Sequence, residues 1–66
     1  MNQIAENTKK IIEEKGLKQK SVAEKAGYTM QQFSRMMNGR NQISWHDVLR
    51  IANVLGVTPN DLYGIK

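Results

Sequence analysis

Three residues with hydrogen-bonding side chains share one side of a short segment near the middle of the chain. They are Gln31, Arg35 and Asn38. At about 100° per residue of an α-helix they lie within about 60° of one another and opposite Phe33, with Ser34 at their flank. An amide offers a donor and an acceptor together, and a guanidinium offers a fork of donors. These are the groups that can recognise the edges of nucleic-acid bases.

The charge around this segment has the same implication. No Asp or Glu occurs from Lys25 through His46, whereas Lys25, Arg35 and Arg40 all lie within that window. The whole chain has ten Lys and Arg against six Asp and Glu, a formal net charge of +4, which favours a polyanionic partner. The alternative is a basic protein whose charge serves solubility and whose helix face is merely polar.

Five glycines mark the elements that must position this face: Gly16, Gly27, Gly39, Gly56 and Gly64. Each follows a segment with helical apolar spacing, and glycine is favoured just after a helix. No segment as long as a strand alternates apolar and polar residues. We therefore predict an all-α fold, a compact five-helix bundle in a single domain over residues 1–66. The predicted helices span about residues 2–15, 19–26, 30–38, 45–55 and 59–63.

The predicted helix starts agree with these ends. Three hydroxyl residues stand three positions before an acid or amide, which predicts capping boxes: Thr29 with Gln32, Ser44 with Asp47 and Thr58 with Asp61. Pro59 suits the first position of the last helix. Lys18 is a poor cap for the second helix.

The apolar periodicity predicts which residues form the core. On the five helices these are Ile4, Ile11, Ile12, Val22, Ala23, Ala26, Phe33, Met36, Met37, Trp45, Val48, Leu49, Ala52, Leu55 and Leu62, with Ile51 at the margin. Trp45 suits either core packing or a subunit interface.

The second and third helices are joined by a very short turn. Gly27 ends one and Thr29 caps the next, which predicts a steep crossing of the helix-turn-helix type over about residues 19–38. Tyr28 lies in this turn and suits either a phosphate contact or a cover for the junction.

Residues 17–40 and 48–62 together resemble the lambda-repressor-like (Cro/repressor, or xenobiotic-response-element) helix-turn-helix family. The specific points are Gln19, Ala23, Gly27, Phe33, the Asn38-Gly39-Arg40 run, and the ending from Ile51 to Leu62. The resemblance implies a five-helix bundle that binds operator DNA, usually as a two-fold homodimer, and regulates transcription, here as a repressor.

The resemblance also implies roles for individual residues. Base edges would be read by Met30, Gln31 and Arg35. The DNA backbone would be contacted by Lys18, Gln19, Thr29, Ser34, Asn38 and Arg40. Two residues depart from the family pattern, because Met30 stands where a polar residue, often Gln, is common, and Lys18 replaces the usual Thr or Ser.

An apolar patch near the C-terminus is the predicted dimer interface, formed by Ile43, Val54, Tyr63 and Ile65. Dimers of the family commonly meet in the region of the fourth and fifth helices.

The composition argues against several other classes of function. The chain has no Cys and one His, so we expect no metal site, no cofactor and no catalytic residues, and His46 is interpreted as a solvated surface residue. No apolar run approaches the ~20 residues of a membrane span, and the N-terminus has no secretory apolar region, which predicts a cytoplasmic protein. The sequence pairs no nucleophile with a base and has no glycine-rich phosphate loop, so we expect that the protein is not an enzyme. We expect no small-molecule ligand. The alternative function is a protein-interaction module, such as an antitoxin, that uses the same domain.

Overall fold

The computed structural model describes residues 3–65, and these residues form five α-helices and no strand. The helices are α1 (Gln3–Glu14), α2 (Gln19–Ala26), α3 (Met30–Met37), α4 (Trp45–Leu55) and α5 (Pro59–Tyr63). The predicted all-α, five-helix architecture is confirmed, and every described bound lies within one residue of its predicted position. Residues 1, 2 and 66 of the predicted domain lie outside the described residues.

The helices end where the glycines predicted. A glycine with a φ between 68° and 85° follows each helix by one or two residues. Gly27 shows the reason, because its φ of 85° lets the N–H of Tyr28 reach back to the carbonyl of Ala23, at 2.9 Å. This bond satisfies a carbonyl that the last turn of α2 would otherwise leave unpaired.

The three predicted capping boxes are also present, at the starts of α3, α4 and α5. In each box the hydroxyl accepts from a backbone N–H three residues later, and the acid or amide at that position accepts from the capping residue. Helix α2 differs, because Lys18 provides no side-chain hydrogen bond to its first turn. Local capping pairs therefore determine how α3, α4 and α5 begin, whereas α2 begins without a side-chain cap.

The core contains most of the predicted residues, but α4 is rotated relative to the prediction. Trp45 and Leu49 were predicted to be buried and are 52% and 41% exposed, whereas Ile51 is fully buried. The buried stripe of α4 is centred on Val48 and Leu55. The prediction was wrong because apolar residues cover about 220° of this helix, so periodicity alone does not select the inward direction.

Helix α1 shows a smaller rotation of the same kind. Ala5, Thr8 and Ile12 are its buried residues, while Ile4 and Ile11 are only partly buried. The buried Thr8 hydroxyl donates to the carbonyl of Ile4, at 2.7 Å, which satisfies the hydroxyl inside the core.

The packing order leaves one side of α3 uncovered. Helix α1 packs against α5, α3 and α2, and α4 packs against α2 and α5. The Nδ2 atom of Asn7 donates to the carbonyl of Leu62 at 3.0 Å, which joins α1 to α5. Because α1 and α2 cover α3 from within, its other side faces solvent. None of the helices over residues 3–65 is long and apolar enough to cross a membrane.

Candidate nucleic-acid interface

The orientation of α3 is set by three buried side chains. Phe33, Met36 and Met37 are 0%, 4% and 3% exposed, and they direct one side of the helix into the core. Residues on the opposite side of the helix point away from these buried side chains. Both Gln31 and Arg35 are accordingly exposed, as the sequence predicted.

The three residues predicted to read bases are all exposed and adjoin one another on the surface. Met30, Gln31 and Arg35 line one shallow depression, together with Ser34. Within the described part of the chain, the side chains of Gln31 and Arg35 form no hydrogen bond or ion pair. Their donors and acceptors are therefore available to a partner molecule.

The polar residues at the far end of α3 are tied to one another. Asn38 is exposed, and its Nδ2 atom lies 3.4 Å from the Oγ atom of the half-buried Ser34. The exposed Arg40 donates its backbone N–H to the carbonyl of Arg35 at 2.8 Å. This bond fixes the backbone at Arg40 and leaves its guanidinium in solvent, beside the end of α3.

Thr29 serves the start of α3. Its hydroxyl accepts from the N–H of Gln32 at 3.1 Å, and its own N–H donates to Oε1 of Gln32, also at 3.1 Å. A phosphate contact by this hydroxyl or N–H would compete with the capping box. The structure therefore shows a structural role for Thr29 and places it at the edge of the exposed face.

The start of α2 has a different arrangement. Lys18 is exposed and has extended backbone angles (φ −100°, ψ 139°) without a capping bond, and Gln19 is half-buried beside it. Over residues 3–65, no capping side chain accepts from the N–H groups of this first turn, unlike at the starts of α3, α4 and α5. Unpaired N–H groups at a helix start attract anions such as phosphate.

Tyr28 connects the turn between α2 and α3 to α4. Its hydroxyl donates to Oδ1 of Asp47 at 2.5 Å, and the guanidinium of Arg50 lies 5.4 Å from the ring centroid. The ring also lies 6.1 Å from that of Phe33. Of the two alternatives that the sequence left open for Tyr28, the structure supports the cover over the junction. The roles of Asp47 and Arg50 in this contact were not predicted, because the residues are distant in sequence from Tyr28.

These contacts shift the pKa values of both partners. Burial, followed by the hydrogen bond to Asp47 and its negative charge, raises the pKa of the Tyr28 hydroxyl from 10.0 to about 12. Burial alone would raise the pKa of the Asp47 carboxyl, but hydrogen bonds from Tyr28 and Ser44 and the charge of Arg50 hold it below its ordinary 3.8. The contact is therefore intact at neutral pH, with a neutral phenol and an ionised carboxylate.

The predicted dimer patch is rearranged. Ile43 is only 9% exposed and belongs to the core, so including it in a surface patch was wrong. Val54 is partly buried against the core, and Ile65 is 58% exposed. The ring of the half-buried Tyr63 stacks on that of Trp45, with centroids 6.0 Å apart and an interplanar angle of 16°. This stack was not predicted, because Trp45 and Tyr63 are distant in sequence and Trp45 was interpreted as a residue of the core or of a subunit interface.

Comparison with known proteins supports the helix-turn-helix arrangement of α2 and α3. A family model described as a helix-turn-helix domain matches residues 12–62, from the end of α1 to α5. Neither the curated proteins nor the solved structures gave a match. The matched range contains the turn at Gly27 and the whole of the exposed α3 face.

Proposed function

Because the chain belongs to the helix-turn-helix domain family, we propose that it binds double-stranded DNA sequence-specifically and regulates transcription as a lambda-repressor-like repressor. The observation that carries this proposal is the outer side of α3, where Gln31 and Arg35 share one depression and have no partner among the described residues. An unpaired amide and guanidinium on a helix of this motif match the acceptors and donors of the major groove.

The surrounding residues position the domain on the DNA backbone. Lys18 and Gln19 lie at the uncapped start of α2, and Arg40 lies beyond the end of α3. We propose that these residues contact phosphates beside the groove that α3 enters. Ser34 and Asn38 would add hydrogen bonds at the same end as Arg40. We propose no catalytic role for any residue of the chain.

We also propose that the protein binds as a homodimer. The aromatic patch, defined by Trp45, Leu49, Tyr63 and Ile65, contains three of the large apolar side chains that remain exposed. A second copy would remove these side chains from water. Two copies would set their α3 helices into half-sites about one helical turn, about 34 Å, apart.

Selection of bound sites from random duplex DNA tests the DNA-binding proposal. We expect one enriched sequence with two-fold symmetry, and an affinity that falls steeply as salt rises. A promoter that carries the selected site should be silenced when the protein is expressed. The proposal is wrong if no sequence is enriched and the protein ignores every duplex at low ionic strength.

Sedimentation tests the dimer separately. Leu49→Lys places a charge in the aromatic patch and should shift the protein towards monomer without unfolding it, because Leu49 is 41% exposed. Leu17→Lys is the matched control, since Leu17 is equally exposed but lies between α1 and α2. If the unmodified protein is a dimer and both variants sediment as it does, the aromatic patch is not the interface.

A further inference from the structure

The proposed base-reading face, formed by Met30, Gln31 and Arg35, is apolar at its N-terminal end. Met30 is the first residue of α3 and is 40% exposed, whereas Met36 and Met37 on the same helix are 4% and 3% exposed. Met30 is therefore not needed to fill the core. Its side chain instead lines the depression that also contains Gln31 and Arg35.

An apolar side chain at this end of α3 has a narrow choice of partner in the major groove. In helix-turn-helix proteins the N-terminal residues of the second helix contact base edges. Guanine, cytosine and adenine are distinguished there by hydrogen-bond donors and acceptors, whereas thymine also presents its C5-methyl group. The flexible thioether of methionine adapts well to a small apolar group of this kind.

We propose, on the basis of the DNA-binding function above, that Met30 recognises a pyrimidine C5-methyl group in each half-site. Thymine is the ordinary source of this group, and 5-methylcytosine presents the same chemistry. The face then reads DNA in two ways: Met30 recognises a methyl group by apolar contact, while Gln31 and Arg35 recognise neighbouring bases by hydrogen bonds.

The spacing along α3 predicts where this methyl group lies. Met30 and Arg35 are five residues apart, which is about 7.5 Å along a helix that rises about 1.5 Å per residue. This length equals about two base-pair steps of about 3.4 Å. The methyl-bearing base should therefore lie within about three base pairs of the base pair read by Arg35, in the same half-site.

Deoxyuridine provides the test, because it differs from thymidine only in lacking the methyl group. The probe is the duplex selected from random DNA, with deoxyuridine placed at each thymine in turn. We expect binding to weaken about fourfold at one thymine per half-site, the effect of removing one buried methyl group. That thymine should lie within about three base pairs of the position whose preference Arg35→Ala relaxes.

Protein variants assign the effect to one side chain. Met30→Ala should bind the thymine and deoxyuridine duplexes equally. Leu17→Ala, an equally exposed control outside α3, should keep the fourfold difference. Placing 5-methylcytosine rather than cytosine at the sensitive position should restore part of the affinity for the wild type and for Leu17→Ala, but not for Met30→Ala. Circular dichroism checks that both variants remain folded.

The outcomes separate this inference from the proposed function. A selected site in which deoxyuridine is tolerated at every thymine, or one without thymine, overturns the role of Met30 and leaves sequence-specific binding intact. A fourfold difference that persists in Met30→Ala, or a sensitive thymine in a distant position, also overturns it. The absence of any enriched sequence overturns both proposals.

Discussion

The two sides of α3 use their side chains in opposite ways. The inner side buries Phe33, Met36 and Met37 almost completely, so its side chains are committed to packing. The outer side keeps the hydrogen-bonding groups of Gln31 and Arg35 in solvent. In the proposed function, this helix of eight residues contributes to stability through its inner side and to DNA recognition through its outer side, and the two properties should respond to different substitutions.

The helix starts on either side of Gly27 extend the same contrast. The start of α3 is closed by its capping box, and the preceding turn is held to α4 by the bond between Tyr28 and Asp47. The start of α2 is open at Lys18. The closed start contributes to stability, whereas the open start gives up the stabilisation that a side-chain cap would provide.

The largest effect is expected on the inner side of α3. Phe33→Ala should lower the free energy of unfolding by about 3–5 kcal/mol, because it removes a fully buried ring and leaves a cavity. A loss of this size is comparable with the total stability of a small domain. Urea denaturation followed by circular dichroism measures it. Gln31→Ala is the control on the outer side, and a similar loss there would contradict the division between the two sides.

The next largest effect is expected in binding rather than in folding. Arg35→Ala should weaken binding to the selected duplex by about 1–3 kcal/mol and relax the preference at one base pair. Its free energy of unfolding should change by less than about 0.5 kcal/mol, since the side chain is exposed and unpaired. Fluorescence anisotropy against all single base-pair variants measures the preference. An equal loss for every sequence would instead identify Arg35 as a phosphate contact.

The hydrogen bond between Tyr28 and Asp47 is expected to have a smaller effect on stability. Tyr28→Phe should cost about 1 kcal/mol, because it removes a hydrogen bond to a charged carboxylate that is only partly buried. The same substitution predicts an alkaline pH dependence. The folded-state pKa of Tyr28 is raised to about 12, so its contribution is complete below pH 10 and is lost as the pH rises from 10 through 12. The difference in stability between wild type and Tyr28→Phe should shrink over this range, and a constant difference would exclude the bond.

The smallest effect is expected at the open start of α2. Lys18→Ser should raise the free energy of unfolding by about 0.5–1 kcal/mol, because serine supplies the missing cap. The same variant should bind DNA more weakly, with a salt dependence reduced by about one phosphate contact. Lys20→Ser is the control, since it removes the same charge from an exposed position inside α2. Equal stabilisation by both variants would show that charge, rather than capping, governs this helix start.

Much of this contrast was predictable from the sequence because its signals are local. The outer side of α3 follows from the spacing of Gln31 and Arg35 opposite Phe33, since a regular helix fixes their relative angles. The junction between Tyr28 and Asp47 was not predictable, because its two side chains are 19 residues apart and meet only when α4 packs beside the turn. The exposure of Met30 likewise depends on how far the other helices cover the start of α3.

The sequence by itself determined where the helices begin and end, because glycines and capping pairs act within a few residues of the backbone groups that they satisfy. Only the tertiary structure decided which way the apolar surface of α4 turns, and with it the burial of Ile51 and the exposure of Trp45. Periodicity fixes the angles between side chains on one helix, but the inward direction is set by the neighbours against which the helix packs. The aromatic patch on α4 and α5 is a consequence of that packing.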